Sequence, residues 1–71
     1  MVKYDKLWKM MKKRGVSQYR LIKYYGISAG QIDRLKKSMH VSTRTLEKLC
    51  HVLSCKPGDL IEFVNEPVEK P

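Results

Sequence analysis

The chain has 71 residues, of which 42% are hydrophobic. A chain of this length forms one domain with a small core, which leaves little room for a deep catalytic cleft and predicts a protein that is not an enzyme. It holds neither an apolar run of the roughly 20 residues that cross a bilayer nor an apolar N-terminal segment typical of a signal peptide, so we expect a cytoplasmic protein without a membrane span.

The charge is strongly positive and unevenly distributed. Fifteen Lys and Arg against seven Asp and Glu give a net charge of +8. Residues 1–37 carry eleven basic and two acidic side chains, whereas residues 38–71 carry four and five. A cationic half of this kind indicates a polyanionic partner, with nucleic acid first and an anionic membrane surface or an acidic protein as the alternatives.

The first predicted element is an amphipathic helix. Tyr4, Leu7, Trp8 and Met11 recur at helical spacing, and lysines occupy the positions between them. This pattern predicts a helix over about residues 5–14. Because Tyr4 and Trp8 share its inward stripe, we expect both aromatic rings to pack at the core rather than to stack on bases.

Three serines then mark the starts of three helices. Each follows an apolar residue and precedes another by four positions, the pattern of an N-cap inside a hydrophobic staple. The serines are Ser17, Ser28 and Ser42. They predict helices over about residues 18–25, 29–37 and 43–53, and glycines at 15 and 26 provide the left-handed stops for the helices before them. Gln31 completes a Ser-x-x-Gln capping box with Ser28.

The C-terminal part predicts one more short helix and a tail. Pro57 suits a first helical position, so we expect a fifth helix over about residues 57–62. Residues 64–71 hold two prolines and alternating charges and are predicted to form a flexible tail. No strand pattern competes, and the fold class is therefore all-α, with five helices in one domain over residues 1–63.

The second and third predicted helices are joined by only three residues, one of them glycine, which is typical of a helix-turn-helix. The positions that match the phage Cro and repressor type of this motif are Gln18, Leu21, Gly26, Ile27, Ser28, Ile32 and Leu35. Flanking segments at Tyr4 to Trp8, Val41 to Cys50 and Pro57 to Leu60 extend the match over roughly residues 4–63. The chain thus resembles the small bacterial and phage regulators of the Cro/repressor type, the XRE family.

The resemblance implies a five-helix lambda-repressor-like DNA-binding domain with its helix-turn-helix core at residues 18–37. It implies a transcriptional regulator that binds double-stranded DNA, and we expect this regulator to be a repressor. Two positions depart from the family pattern. Ile22 stands where a small residue is usual, which predicts a changed angle between the two helices. Ser38 replaces a common glycine, which predicts a different exit from the third helix.

The third helix has an inward face, marked by Ile32 and Leu35, and an opposite face that is free to enter a major groove. Ala29 and Gly30 are small enough for close approach to base edges, and the fork of Arg34 matches guanine O6 and N7. The residues predicted to read bases are Ala29, Gly30, Gln31, Asp33 and Arg34. Asp33 is equally placed to pair with Lys37 along the helix, and we favour that pairing.

Phosphate contacts are predicted at the amide-rich starts of the second and fourth helices and at the basic loop between the third and fourth. The resemblance adds a phosphate contact at Gln18. The full set is Ser17, Gln18, Lys36, Lys37, His40, Thr43 and Arg44.

Several residue types admit a simpler interpretation. The leucines and isoleucines of the helices are predicted to form the core and nothing more; these are Leu21, Ile32, Leu35, Leu46, Leu49 and Leu53. Of the three tyrosines at 19, 24 and 25, we expect one to pack and another to donate to a phosphate. The two cysteines are predicted to remain reduced thiols.

Cys50, His51 and Cys55 are the candidate ligands for a metal site. Structural zinc normally takes four ligands, often including a Cys-x-x-Cys pair, and the only further candidate is the distant His40. We therefore predict neither a metal nor another cofactor.

One domain of this size covers little DNA, so we expect a homodimer on paired half-sites. The leading apolar surface for dimerisation is Leu60, Ile61, Phe63 and Val64. The alternative is that the protein is an antitoxin or anti-repressor, whose basic face binds an acidic protein and whose DNA binding is secondary. Binding of RNA or single strands is a weaker alternative, since it needs aromatic rings on the surface.

Overall fold

The computed structural model describes residues 1–64, so all of the predicted tail except Val64 lies outside the described residues. In chain order its elements are β1 (Val2–Lys3), α1 (Asp5–Arg14), α2 (Gln18–Tyr25), α3 (Ala29–Lys36), α4 (Thr43–Leu53), a 3₁₀ turn (Pro57–Asp59) and β2 (Glu62–Phe63).

The first four predicted helices are confirmed. The bounds of α1, α2 and α4 agree with the prediction, and α3 ends one residue early at Lys36. The difference at Lys37 is slight, because its amide still donates to the carbonyl of Asp33 at 3.1 Å. The serine N-caps account for this agreement: the hydroxyls of Ser17, Ser28 and Ser42 each accept from the backbone amide three residues on.

The predicted fifth helix over 57–62 is wrong. Residues Pro57–Asp59 form a single 3₁₀ turn, closed by the amide of Lys56, which donates to Asp59 Oδ2 at 3.0 Å. Leu60, which follows, is fully buried, and the chain then extends into β2. Leu60 was also expected on an exposed apolar surface; its burial removes it from that set, whereas Phe63 and Val64 are exposed.

The expectation of no strands is also wrong. β1 pairs antiparallel with β2, with Val2 opposite Phe63 and Lys3 opposite Glu62. The amide of Val64 extends this pairing by donating to the carbonyl of Met1 at 2.9 Å. Two-residue strands carry no alternation that a sequence pattern could reveal, and their partners lie at opposite ends of the described chain.

A single core lies between the helices and the strand pair. The residues that form it are Val2, Tyr4, Leu7, Met11, Leu21, Ile27, Ile32, Leu35, Leu49, Leu53 and Leu60. Trp8 packs against this core at its edge, which confirms the interpretation of both N-terminal aromatic residues. Burial of these side chains supplies the main stabilisation of so short a chain.

Leu46 was predicted to be a core residue and is only half-buried. The inward stripe of α4 starts instead at Thr45, which is buried and shares the stripe with Leu49 and Leu53. Thr45 satisfies its hydroxyl locally, since Thr45 Oγ1 lies 3.1 Å from Ser42 Oγ. A threonine can therefore take a core position here, and Leu46 turns toward a surface groove.

Left-handed residues end all four helices. Gly15 and Gly26 have φ of 70° and 69°, as predicted, and Ser38 and Ser54 have φ of 55° and 51°. The expectation that Ser38 sends the chain along a different route is thus wrong, because this serine adopts the conformation that a glycine would adopt. The amide of Met39 then donates to the carbonyl of Arg34 at 2.9 Å and closes the end of α3.

The loop between α3 and α4 is tied to the N-terminal segment. Tyr4 is buried, and its hydroxyl donates to the carbonyl of Met39 at 2.7 Å. Burial raises the pKa of the Tyr4 hydroxyl, opposed by the nearby Arg34 guanidinium, so the hydroxyl stays protonated as a donor at neutral pH. This bond joins residues 35 positions apart and positions the loop that follows α3.

Replacing Ser38 with glycine is expected to stabilise the fold. A non-glycine residue in the left-handed region costs roughly 1 kcal/mol, so Ser38→Gly is expected to raise the Tm by about 4–8 °C in thermal unfolding. The matched control is Gly15→Ser, where an added Cβ meets no atom within 4 Å. It is expected to lose a similar amount through the backbone alone, and a Tm that does not rise in Ser38→Gly would contradict the strain at this position.

Removing the Tyr4 hydroxyl is expected to destabilise the protein. Tyr4→Phe leaves the carbonyl of Met39 without its donor and is expected to cost about 1–2 kcal/mol in urea unfolding. Tyr19→Phe provides the control, because the Tyr19 ring is 62% exposed. Its effect is expected to stay within about 0.5 kcal/mol. Equal effects of the two variants would show that the Tyr4–Met39 bond adds no stability.

Candidate nucleic-acid interface

The turn between α2 and α3 holds the two helices together from the inside. Gly26 takes the left-handed conformation that ends α2, and the amide of Ile27 donates to the carbonyl of Leu21 at 3.1 Å. Leu21, Ile27 and Ile32 are all buried. The inner face of α3 is therefore packed in the core, and its orientation is set by apolar contacts.

The opposite face of α3 is exposed. Exposed residues on this helix and at its end are Ala29, Gly30, Asp33, Arg34, Lys36 and Lys37. Of the five residues predicted to read bases, the structure thus brings four to one solvent-facing side. Gly30 keeps the first turn open, since the atom nearest to a Cβ built there is Ser28 Oγ at 3.9 Å. Because the first two residues of α3 are small, the backbone of its first turn can approach another surface closely.

Gln31, the fifth predicted base reader, is half-buried and differently engaged. The backbone amide of Gln31 donates to Ser28 Oγ at 3.2 Å, as expected for the third residue of a capped helix. The Gln31 side chain, however, does not complete the predicted capping box. Gln31 Oε1 instead accepts from Thr45 Oγ1 at 3.4 Å. The side chain thus links α3 to the first turn of α4.

Arg34 is fixed to the loop after its own helix. Its Nε donates to the carbonyl of His40 at 2.9 Å. This bond leaves the two terminal nitrogens of the guanidinium free of it. Those nitrogens are the ones that can donate to a base edge or to a phosphate. The contact therefore orients the Arg34 fork at the outer side of α3.

Asp33 forms the ion pair favoured from the sequence. Lys37 Nζ lies 2.9 Å from Asp33 Oδ2, with both side chains more than half exposed. An exposed i,i+4 pair of this kind contributes only about 0.3–0.5 kcal/mol. Either side chain can exchange this partner for another at small cost.

The predicted phosphate-binding residues are mostly at the surface. Ser17, Lys36, Lys37, His40, Thr43 and Arg44 are exposed, and Gln18 is half-buried. The hydroxyl of Ser17 already accepts from the amide of Arg20 at 3.2 Å, so it contributes to capping in the free protein. The first-turn amides of α2 and α4 that do not donate to the N-cap serines lie beside these side chains. They add partial positive charge at the start of each helix.

The three tyrosines of α2 do not behave as expected. Tyr19, Tyr24 and Tyr25 are exposed by 62%, 64% and 42%, so none of them packs in the core. Lys23 Nζ lies 5.4 Å from the centroid of the Tyr19 ring and 5.6 Å from that of Tyr24. α2 is so short that Leu21 alone supplies its fully buried contact. Ile22 is 41% exposed, so its bulk is not enclosed between the helices.

Two contacts of this surface had no usable signal in the sequence. Tyr4 reaches Met39 across 35 positions, a separation that no local pattern encodes. Lys48 Nζ lies 3.9 Å from the position of a Cβ built on Gly26, which brings α4 beside the turn of the helix-turn-helix. Thr45 carried a weak signal, since it stands three residues after the N-cap Ser42.

Two further features bear on the chemistry of the surface. Within residues 1–64, no three His, Cys, Asp or Glu side chains come together in a way that could hold a metal ion. None of the helices described has the length and apolar character to cross a membrane.

The chain is similar to known DNA-binding regulators. Residues 6–66 match the family model of the Cro/C1-type HTH DNA-binding domain. The chain is 36% identical over 56 residues to an uncharacterised HTH-type transcriptional regulator, YozG, of Bacillus subtilis (strain 168), covering 76% of this chain and 67% of that protein.

The fold also matches a solved structure. The crystal structure of the transcriptional regulator VanUg (Form II) superimposes with a TM-score of 0.83 and 35% sequence identity, over 92% of this chain and 87% of that one. The buried turn, the exposed face of α3 and these similarities agree. The chain belongs to the Cro/C1-type helix-turn-helix family of DNA-binding transcriptional regulators.

Proposed function

We propose that this protein is a repressor that binds specific sites on double-stranded DNA, with α3 in the major groove. The observation that supports this most is the division of α3 into a buried face, at Ile32 and Leu35, and an exposed basic one. A helix braced from behind in this way can enter the groove as a rigid body.

In the proposed complex, the N-terminal turn of α3 approaches the bases most closely. Ala29 and Gly30 permit contact of the backbone or of the Ala29 methyl group with base edges and thymine methyls. Arg34 lies one turn further on, and its terminal nitrogens pair with guanine O6 and N7. The bond from Arg34 Nε to His40 reduces the entropy that this contact costs, because the side chain is already ordered.

Gln31 and Asp33 have conditional roles as base readers. Gln31 is able to reach a base only by giving up the 3.4 Å contact with Thr45, which is long enough to be weak. Asp33 accepts from cytosine N4 when Lys37 turns from the ion pair to a phosphate. Both side chains therefore change partners on binding.

The proposed phosphate contacts surround α3 on two sides. Ser17 and Gln18 lie at the start of α2, and Thr43 and Arg44 lie at the start of α4, where backbone amides face outward. The loop between α3 and α4 adds Lys36, Lys37 and His40, which are all exposed. Contacts of this kind set the register of the protein on the duplex without reading its sequence.

We infer a homodimer acting in the cytoplasm on paired half-sites. A single domain of this type buries about 600–1,000 Å² on DNA, and two copies one helical turn apart raise both affinity and specificity. Phe63 and Val64, exposed by 65% and 36%, remain the apolar candidates for the dimer contact, with Ile61 half-buried beside them.

A rival function is favoured by one observation. The exposed tyrosines of α2, with Lys23 between two of the rings, meet the requirement for stacking on single-stranded nucleic acid or for gripping an acidic protein. The experiments below therefore include a single-stranded competitor.

The first test is competition for DNA binding. Duplexes selected by the protein from a random pool are expected to outcompete random duplex by about 10³ or more near physiological salt. Equal competition by random duplex would contradict specific binding. Stronger competition by single strands of the same sequence would support the role of the tyrosines instead.

The second test separates base contacts from phosphate contacts. Arg34→Ala is expected to remove about 1–3 kcal/mol of discrimination at one base pair, whereas Gln18→Ala weakens all sequences alike. Arg20→Ala is the matched control, because it removes an exposed arginine from α2 and leaves α3 intact. The measurement is binding to the selected duplex and to its single base-pair variants.

The Arg34→Ala variant must be shown to be folded, because it also loses the hydrogen bond from Arg34 to the carbonyl of His40. Thermal unfolding of the variant measures the resulting loss of stability separately from DNA binding. A uniform loss of affinity in Arg34→Ala, or loss of discrimination in Arg20→Ala as well, would show that Arg34 does not read a base.

A further inference from the structure

The two cysteines lie at a defined backbone motif at the end of α4. Ser54 is left-handed, with φ 51°, and its amide donates to the carbonyl of His51 at 3.4 Å. The amide of Cys55 donates to the carbonyl of Cys50 at 3.0 Å. These two bonds form a Schellman motif, which turns the chain back so that the residues at its two ends lie side by side.

The same bond sets how far apart the two cysteines can be. The carbonyl oxygen of Cys50 and the amide nitrogen of Cys55 are 3.0 Å apart. Standard bond lengths therefore hold the Cα atoms of the two cysteines within about 7 Å of each other. Disulfides join Cα atoms that are about 4.4–6.8 Å apart. The motif therefore brings Cys50 and Cys55 to the spacing of a disulfide without requiring the helix to unwind.

The two thiols lie close to each other. Their side chains interact, and both cysteines are free and half-buried. The corresponding positions at the end of α1 hold Met11 and Val16, joined by the equivalent backbone bond at 2.9 Å. An apolar pair is usual at these positions. At the end of α4, the apolar pair is replaced by two groups that can form a covalent bond.

Small molecules can reach this pair. Both cysteines line a surface groove together with Leu46, His51 and Pro57. Burial raises the pKa of both thiols, and the Asp59 carboxylate raises it further, so both thiols are protonated near neutral pH. The small thiolate fraction makes the first attack on an oxidant slow, and the groove leaves both sulfurs accessible to it.

We propose that Cys50 and Cys55 are an oxidation site, which closes to an intramolecular disulfide on reaction with a low-molecular-weight disulfide. One thiolate attacks a sulfur of the small disulfide and releases one thiol, leaving a mixed disulfide. The second cysteine thiolate attacks the protein sulfur of that mixed disulfide and releases the other thiol. The two cysteines are oxidised by two electrons, the small disulfide is reduced to two thiols, and each released thiolate takes up a proton lost by a cysteine.

Closure is expected to leave the proposed DNA-binding surface in place. The cysteines belong to the last turn of α4 and the residues after it, whereas Thr45, which contacts Gln31, belongs to the first turn. The bond joins residues that the backbone motif already holds close together, so it constrains the unfolded chain more than it changes the folded one. The expected consequence is greater stability of the α4 end.

The test uses the full chain and glutathione disulfide, followed by alkylation with iodoacetamide and intact-mass measurement. The wild-type protein is expected to lose two hydrogens, to carry no alkyl group and to run as a monomer on a non-reducing gel. Its Tm is expected to rise by about 4 °C or more and to return when a thiol reductant is added.

Cys50→Ser and Cys55→Ser are the matched variants. Each replaces a half-buried sulfur by one oxygen and is expected to remain folded, as checked by circular dichroism. Each retains one thiol, so each is expected to hold a single glutathione adduct and to show no rise in Tm. Wild-type protein that carries two glutathione adducts, forms a cross-linked dimer or remains fully alkylatable at equilibrium would overturn the proposal.

Discussion

The proposed interface depends on the packing of α3 in the core. Leu21, Ile27, Ile32 and Leu35 are buried in one cluster, and the short turn at Gly26 joins α3 directly to α2. Burying an aliphatic side chain of this size is worth about 1.5–3 kcal/mol, far more than any exposed ion pair on the opposite face. The charged residues of α3 therefore face solvent because the apolar ones are held inside. Their own interactions have little part in setting the orientation of the helix.

The loop after α3 is ordered by contacts from two directions. Tyr4 holds it at Met39 from the core side, and Arg34 holds it at His40 from the surface side. Both contacts are to backbone carbonyls, so they constrain the path of the chain whatever side chains the loop carries. Because α4 begins only a few residues later, this order extends to Thr43 and Arg44. The exposed basic residues of α3, the loop and α4 are thus carried on segments that these contacts hold in place.

Local signals in the sequence were sufficient for the first four helices and insufficient for the contacts between distant residues. The serine caps and the two glycines predicted the helix bounds because both act within four residues. The strand pair could not be predicted, since each strand is two residues long and its partner lies about 60 positions away along the chain. Helical periodicity gave the exposed face of α3 correctly. It misassigned Leu46, because neighbouring positions on α4 compete for the interior and Thr45 satisfies its hydroxyl locally. The exchange of the Gln31 capping box for Thr45 likewise depended on a residue 14 positions away.

The pairing of β1 with β2 has a consequence for the order of folding. It joins Val2 to Phe63, so the segment it encloses includes every helix of the described chain. Closing a loop of that length costs more entropy than forming any helix hairpin within it, and the burial of Val2 with a few hydrogen bonds repays that cost only once the core is formed. The strand pair is therefore expected to be the last element to assemble and the first to open. Its amides are expected to exchange with solvent through local fraying, while those of α1 to α4 report the global unfolding of the domain.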